Sequence, residues 1–166
     1  LSVETNLRFA KRWRLYFGPE YRDETFPYSP GEDGAFVDLP LQIDRFSGPD
    51  SFVRFIAGAS MGRKAEERFS FDEARIGLGY FKEFSQGLSL YADATYAHRL
   101  YHADYPGIDD PREDYRTSVG VTVTKRDFTL AGFAPQVSLR HTRTRSNAAF
   151  NDTTRTEADL RFVQEF

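Results

Sequence analysis

Polar and apolar residues alternate singly along most of this chain. From Ser89 to Ala97, Leu90, Ala92, Ala94 and Tyr96 alternate with Ser89, Tyr91, Asp93, Thr95 and Ala97. Tyr115, Thr117, Val119, Val121 and Val123 alternate with Arg116, Ser118, Gly120, Thr122 and Thr124. Phe133, Pro135, Val137 and Leu139 alternate with Ala134, Gln136, Ser138 and Arg140. Successive side chains of a strand point to opposite faces, whereas a helix brings its apolar residues round every three to four positions. A period of two therefore predicts half-buried strands, and no helix-length amphipathic segment interrupts them. About nine segments carry the pattern: 2–10, 13–23, 36–45, 51–63, 67–82, 87–99, 113–125, 129–145 and 153–166. The expected fold is a single all-β domain over residues 1–166, with antiparallel strands in up-and-down order.

Several segments exceed the five or six residues usual for a globular sheet. Ten or more residues suit a tilted crossing of a bilayer. Connections at 10–12, 46–50, 83–87 and 125–128 are tight, and those at 24–35, 100–113 and 146–152 are longer and rich in Gly, Pro, Asp and Asn; the short link at 63–67 breaks the alternation. Short turns at one end and longer loops at the other predict a transmembrane β-barrel of the outer-membrane kind. The 16 Phe and 9 Tyr add to this, because many flank the tight turns. Phe9 and Trp13 flank the first, Phe46 and Phe52 the second, Tyr80 and Phe84 the third, and Phe128 and Phe133 the fourth. Rings gathered at one set of strand ends suit the headgroup level of a membrane. The competing architecture is a soluble calyx or sandwich whose core those rings form. The mean hydropathy of −0.57 does not separate the two, since it averages opposite faces.

The polar faces, which also hold Glu73, carry the candidate lumen-facing residues Arg54, Arg75, Asp93, Arg116, Arg140, Arg155, Glu157, Asp159 and Arg161. Small residues on the same faces (Gly58, Ser60, Gly77, Gly79, Ser118, Gly120) suit a wet lumen. Arg155, Glu157, Asp159 and Arg161 read as cross-strand ion pairs or as transient polar contacts for a passing polypeptide. Pro40 and Pro135 conflict with strands paired on both sides, because proline cannot donate to the ladder. Each is expected at a bulge, at an unpaired nitrogen or on an edge.

Catalytic and metal chemistry finds little support. The absence of Cys excludes disulfides and Cys-based zinc sites. A net charge of −3 gives no reason to expect nucleic acid. His98 and His102 are four apart but not on a helix, and no Glu stands at zinc-protease spacing. His141 lies three residues from Ser138, which on a strand puts the two on opposite faces. No catalytic residue, metal or cofactor is expected. The charge clusters at 63–68 and 109–114 read as solvated loops. Loop 100–113, with Tyr101 and Tyr105, is the candidate contact for an exported client.

On the last segment Ala158, Leu160, Phe162 and Phe166 share a face. An alternating strand with a terminal aromatic resembles the signal read by the outer-membrane barrel assembly machinery, which makes Phe162 and Phe166 the candidate assembly signal. If that strand ends in the periplasm, so do the tight turns, and segment 2–10 begins outside the cell. Bacterial single-chain barrels normally hold an even number of strands. Nine strands in this orientation predict the C-terminal part of a larger barrel.

The stretch GFAPQVSLRHTRTRSNAAFNDTTRTEADLRFVQEF (132–166) resembles the end of the surface lipoprotein assembly modulator (modifier) family. The resemblance rests on Gly132, Phe133 and Pro135 at the start of the penultimate strand, on Ser146 and Asn147 at the outer loop, on Phe150 and Arg155, and on the closing Phe162 and Phe166. The segment ARIGLGYFKEFSQGLSLYADATY is similar to the family's repeated hairpins. The resemblance implies an outer-membrane barrel of about fourteen strands placed after a periplasmic domain of helical repeats. It also implies a non-enzymatic role in bringing lipoproteins or secreted proteins to the cell surface. Expected partners are outer-membrane lipid, the barrel assembly machinery and a client lipoprotein or secreted protein. A small passive porin-like or adhesin-like barrel is the alternative function.

Overall fold

The computed structural model describes residues 5–128 and 132–163. Ten strands form one sheet: β1 (Thr5–Ala10), β2 (Trp13–Phe17), β3 (Glu20–Glu24), β4 (Gly34–Phe46), β5 (Ser51–Lys64), β6 (Phe71–Glu83), β7 (Leu88–Asp104), β8 (Pro111–Lys125), β9 (Ala134–Ser146) and β10 (Thr153–Val163). Apart from β2 and β4, neighbours along the sheet are consecutive in sequence; every pair is antiparallel, and β3 pairs with β4 in continuation of β2. The described residues include no α-helix. The sheet is open, with β1 and β10 as its edges. This is the all-β, up-and-down arrangement expected from the alternation, and an open sheet is consistent with part of a barrel.

The expected segment 13–23 is two strands. Gly18 and Pro19 interrupt it, yet β2 and β3 keep one register against β4, with Phe17 opposite Leu41 and Glu20 opposite Asp38. Pro40 of β4 faces that interruption, and the Gly18 N–H donates to the Pro40 carbonyl at 3.4 Å. An antiparallel residue turns its N–H and C=O to the same neighbour. The N–H that Pro40 lacks would therefore point at the break, and the missing donor costs the ladder nothing there. Pro135 is the second residue of β9, opposite Phe162. Pairing of β9 with β8 reaches only to Gln136, so Pro135 sits at a strand start, where proline is tolerated.

Two further bounds shift. Glu67–Phe69 forms a 3₁₀ turn and β6 begins at Phe71, so the β5–β6 connection is 65–70 rather than a tight link at 63–67. The strand expected from 129 begins at Ala134; residues 129–131 lie outside the described residues. Connections 25–33, 65–70, 105–110 and 147–152 then share one end of the sheet, and 11–12, 47–50 and 84–87 share the other.

The two faces are buried in the reverse of the order a water-soluble sheet requires. On one face Asp44, Glu73 and Asp93 are only 3%, 6% and 8% exposed. On the other, Ile76 is 64% and Leu160 63% exposed, with Leu78, Val119, Val137 and Leu139 also open. Cross-strand register makes the apolar face continuous, as in the row Leu7, Leu15, Ile43, Phe55, Leu78, Ala94 and Val119. Phe9, Tyr80, Phe84, Phe128 and Phe133 are exposed near the tight-turn end. Phe46 and Phe52 depart from the expected rim. They pair with each other and with Phe81 on the polar face, with ring centroids 5.4 and 5.0 Å apart, because Phe52 shares its strand parity with Arg54.

The β6–β7 turn closes by a hydrogen bond from the Phe84 N–H to the Leu88 carbonyl at 2.7 Å. Gln86 and Gly87 take left-handed φ angles of 64° and 62°. A Cβ on Gly87 would also lie 2.8 Å from the Asp127 backbone nitrogen. Gly87→Ala is expected to lower stability by about 1–3 kcal/mol. Urea unfolding of the full-length protein in micelles checks this, with the exposed Ser85→Ala as the neutral comparison.

Candidate functional site: the polar face

Alternate residues on ten strands build this face. One cross-sheet row reads Arg8, Arg14, Asp44, Arg54, Gly79, Asp93, Gly120, Arg140 and Glu157. A second reads Glu20, Asp38, Ser60, Glu73, Arg99, Asp114 and Ser146. All the candidate lumen residues of the sequence, from Arg54 to Arg161, fall on this one face by the same register.

Four buried or half-buried carboxylates organise it. Asp44 takes Arg14 Nη2 at 2.6 Å and Arg54 Nε at 2.7 Å, one guanidinium from each flanking strand. Asp38 takes Arg75 Nη2 at 2.7 and 2.9 Å, while the Ser60 hydroxyl donates to Asp38 at 2.6 Å. Glu73 takes Arg99 Nη2 at 2.8 Å, with Arg116 Nη1 at 3.6 Å. Asp93 takes Arg140 Nη2 at 2.8 Å, and Arg140 Nη1 also donates to Ser118 Oγ at 3.0 Å. Burial penalises a carboxylate that has no partner, and charge-assisted guanidinium contacts offset that cost. Nearer the longer loops, Arg112 Nη2 holds Asp114 at 2.6 Å with its guanidinium 4.7 Å from the Tyr101 ring. In the turn after β4, the Lys82 ammonium bonds Asp50 and holds its carboxyl below the ordinary range.

Two of the longest reaches cross an intervening strand at glycine. Arg75 of β6 passes over Gly58 of β5 to Asp38 of β4, and a Cβ there would meet Arg75 Nε at 2.7 Å. Arg140 of β9 passes over Gly120 of β8 to Asp93 of β7, and a Cβ there would meet Arg140 Nη2 at 2.6 Å. At Gly79 the Tyr91 hydroxyl fills the space. These glycines seat long side chains, where the sequence suggested room for water.

On β10 the charges pair along the strand, Arg155 with Glu157 at 2.7 Å and Arg161 with Asp159 at 3.0 Å; Arg155, Glu157 and Arg161 are exposed and Asp159 is half-buried. Among the described residues no ion pair within 4 Å joins these four side chains to β9. Phe162 is exposed on the apolar face; Phe166 lies outside the described residues. Asp38, Asp44, Arg14 and Arg99 are not singled out in the sequence, although for Asp38 and Asp44 the parity of segment 36–45 carries the signal; Arg112 and Asp114 belong to the 109–114 cluster read as a solvated loop, yet they lie in β8 and Asp114 is buried.

The histidines stay apart. His98 stacks on Tyr115 at 4.5 Å, His102 Nε2 lies 2.9 Å from Asp72, and His141 Nδ1 lies 2.8 Å from Thr156 Oγ1. Ser138 meets Thr122 on the polar face, so the sheet separates it from His141. Among the described residues no three His, Asp or Glu side chains could hold a metal ion.

The glycine seats generate a double-mutant cycle. Gly120→Ala is expected to destabilise the protein with Arg140 present and to do so much less in an Arg140→Ala background. A coupling energy of about 0.5–3 kcal/mol follows for groups in direct contact, and urea unfolding of the four variants measures it.

A sequence model of the surface lipoprotein assembly modifier family matches residues 1–166. The "Surface lipoprotein assembly modifier" of Haemophilus influenzae strain 86-028NP is 24% identical over 144 residues, covering 85% of this chain and 29% of the relative. "Surface lipoprotein assembly modifier 2" of Haemophilus influenzae strain Rd is 23% identical over 144 residues, with the same coverage. The chain thus spans under a third of the length of these curated relatives. No solved structure matches it. The match across the whole chain places it: this protein belongs to the surface lipoprotein assembly modifier family.

Proposed function

We propose that this sheet is part of an outer-membrane β-barrel whose apolar face meets lipid and whose polar face lines the interior. In this reading the barrel serves, without catalysis, to translocate or display lipoproteins or secreted proteins at the bacterial surface. The observation that carries it is the inverted burial, with Asp44, Glu73 and Asp93 hidden while Ile76, Leu78 and Leu160 are open. Water outside such a sheet would leave a large apolar surface unfavourably hydrated, whereas hydrocarbon outside it would not.

The tight turns then face the periplasm, and connections 25–33, 65–70, 105–110 and 147–152 face outward. β7, of 17 residues, and β8, of 15, exceed the roughly 9–11 that a strand needs to cross, so their loop-side ends project beyond the membrane. That projection supports loop 105–110, with Tyr105, as a contact for clients. The arginines and carboxylates of the interior, including Arg116, Arg155 and Arg161, give a passing chain polar contacts. Strand β10 with Phe162 is the segment offered to the barrel assembly machinery. The relatives' names support lipoproteins as the clients.

The test uses the full-length protein. A fluorophore at Leu78→Cys is expected to be quenched by brominated acyl chains, and one at Thr95→Cys by a water-soluble quencher; the opposite pattern would overturn the barrel. Deleting the protein should then remove a surface lipoprotein from the protease-accessible pool of intact cells. A change in solute permeability with display intact would favour the passive porin-like alternative.

A further inference from the structure

We infer that the loop-side part of β7–β9 on the apolar face is a binding site for the phosphorylated headgroup of a membrane lipid. The inference rests on the apolar face being the lipid-facing one. Three rows of the sheet converge there: Ala94, Val119 and His141; Tyr96, Thr117 and Arg143; His98, Tyr115 and Arg145. Along β9 the same parity begins with Val137 and Leu139, so the face changes from apolar to cationic as the strand approaches loop 147–152.

Arg143 and Arg145 are exposed, and neither meets a carboxylate among the described residues. This sets them apart from Arg14, Arg54, Arg75, Arg99 and Arg140 of the other face, each of which holds one. The acids at this end of the face are engaged: Glu113 accepts from the Tyr115 hydroxyl at 2.7 Å and lies 3.5 Å from His98 Nε2, and Asp72 holds Arg63 at 2.8 Å and lies 2.9 Å from His102 Nε2. Two guanidiniums without an anion at the border of hydrocarbon are unfavourable, and a phosphate with its matching fork geometry relieves that.

The surface is shaped for more than an anion. Tyr96, Tyr115, Val119, His141, Arg143 and Arg145 line a hollow of about 580 Å³. Val119 also lines a neighbouring apolar trough of about 430 Å³ with Leu78, Tyr80, Ala94 and Val121. A cationic end that continues into an apolar trough matches a headgroup phosphate with an acyl chain behind it. A free phosphate would leave the trough unused.

Native mass spectrometry of the full-length protein in micelles tests this with diphosphoryl lipid A, phosphatidylcholine and inorganic phosphate as probes. Lipid A should be retained over phosphatidylcholine. Its affinity should fall about ten- to a hundredfold in R143Q/R145Q, fall less in R143K/R145K, and hold in R155Q on the opposite face. Equal retention by wild type and R143Q/R145Q would overturn the site. So would displacement by inorganic phosphate at matching concentration, or a change of oligomer mass in R143Q/R145Q, which would make the patch a protein interface. The Leu78→Cys quenching signal is recorded in the same preparations. Quenching without lipid A discrimination sinks the headgroup site alone, whereas loss of quenching sinks the lipid-facing reading beneath it.

Discussion

A carboxylate withdrawn from water is costly unless other groups replace its hydration. Asp44, Glu73, Asp93 and Asp114 all depend on that replacement, and in each case a guanidinium supplies it. The requirement reaches through the whole sheet. A slip of one residue in any ladder would turn a strand's charges to the apolar face and its apolar residues to the polar one. It would strand the clamped carboxylate as well as the clamp. The register of β4 against β5, which brings Asp44 opposite Arg54, is therefore held by both faces at once.

The same clamps explain where glycine occurs. Asp93 and Arg140 stand on β7 and β9, and their contact passes over the strand between them only because residue 120 has no side chain. Gly58 plays that part between Asp38 and Arg75. Asp38, Asp44, Glu73 and Asp93 are held by residues of other strands, whereas Asp114 is held by Arg112 of its own strand. At the β10 edge no further strand among the described residues stands beside Glu157 and Asp159, and they pair with Arg155 and Arg161 two residues away on their own strand. Those exposed pairs contribute little to stability, since solvent screens them.

Much of this was legible before the fold was known, because a period of two sorts side chains into faces without reference to which strands pair. Arg54, Arg75, Asp93, Arg116 and Arg140 share a face by parity alone. Parity also assigns Phe52 to the Arg54 face, yet its place beside a tight turn suggests a rim aromatic; parity was the better guide. Reach across strands was not legible. Nothing in the sequence near Gly120 says that an arginine twenty residues on will lie over it, so the glycine reads as open space. The expected segment 13–23 runs straight through the Gly18–Pro19 dipeptide, a turn signal that ends β2. Its meaning appears only with Pro40 opposite, where two imperfections that would each weaken a strand fall at one point and share the loss.

Arginine finally distinguishes the two faces better than hydropathy does. On the polar face its charge is used internally, with Arg14 and Arg54 together neutralising one carboxylate and Arg140 joining a carboxylate to a hydroxyl. On the apolar face Arg143 and Arg145 follow Val137 and Leu139 on the same strand and have no such use. A charge without a partner is tolerated in bulk water but is costly beside hydrocarbon. In the proposed membrane reading, a strand that changes from valine and leucine to arginine within a few residues marks the boundary between those surroundings. The carboxylates of the polar face are met within the protein, whereas the loop-side end of β9 carries two arginines, Arg143 and Arg145, that meet no carboxylate among the described residues.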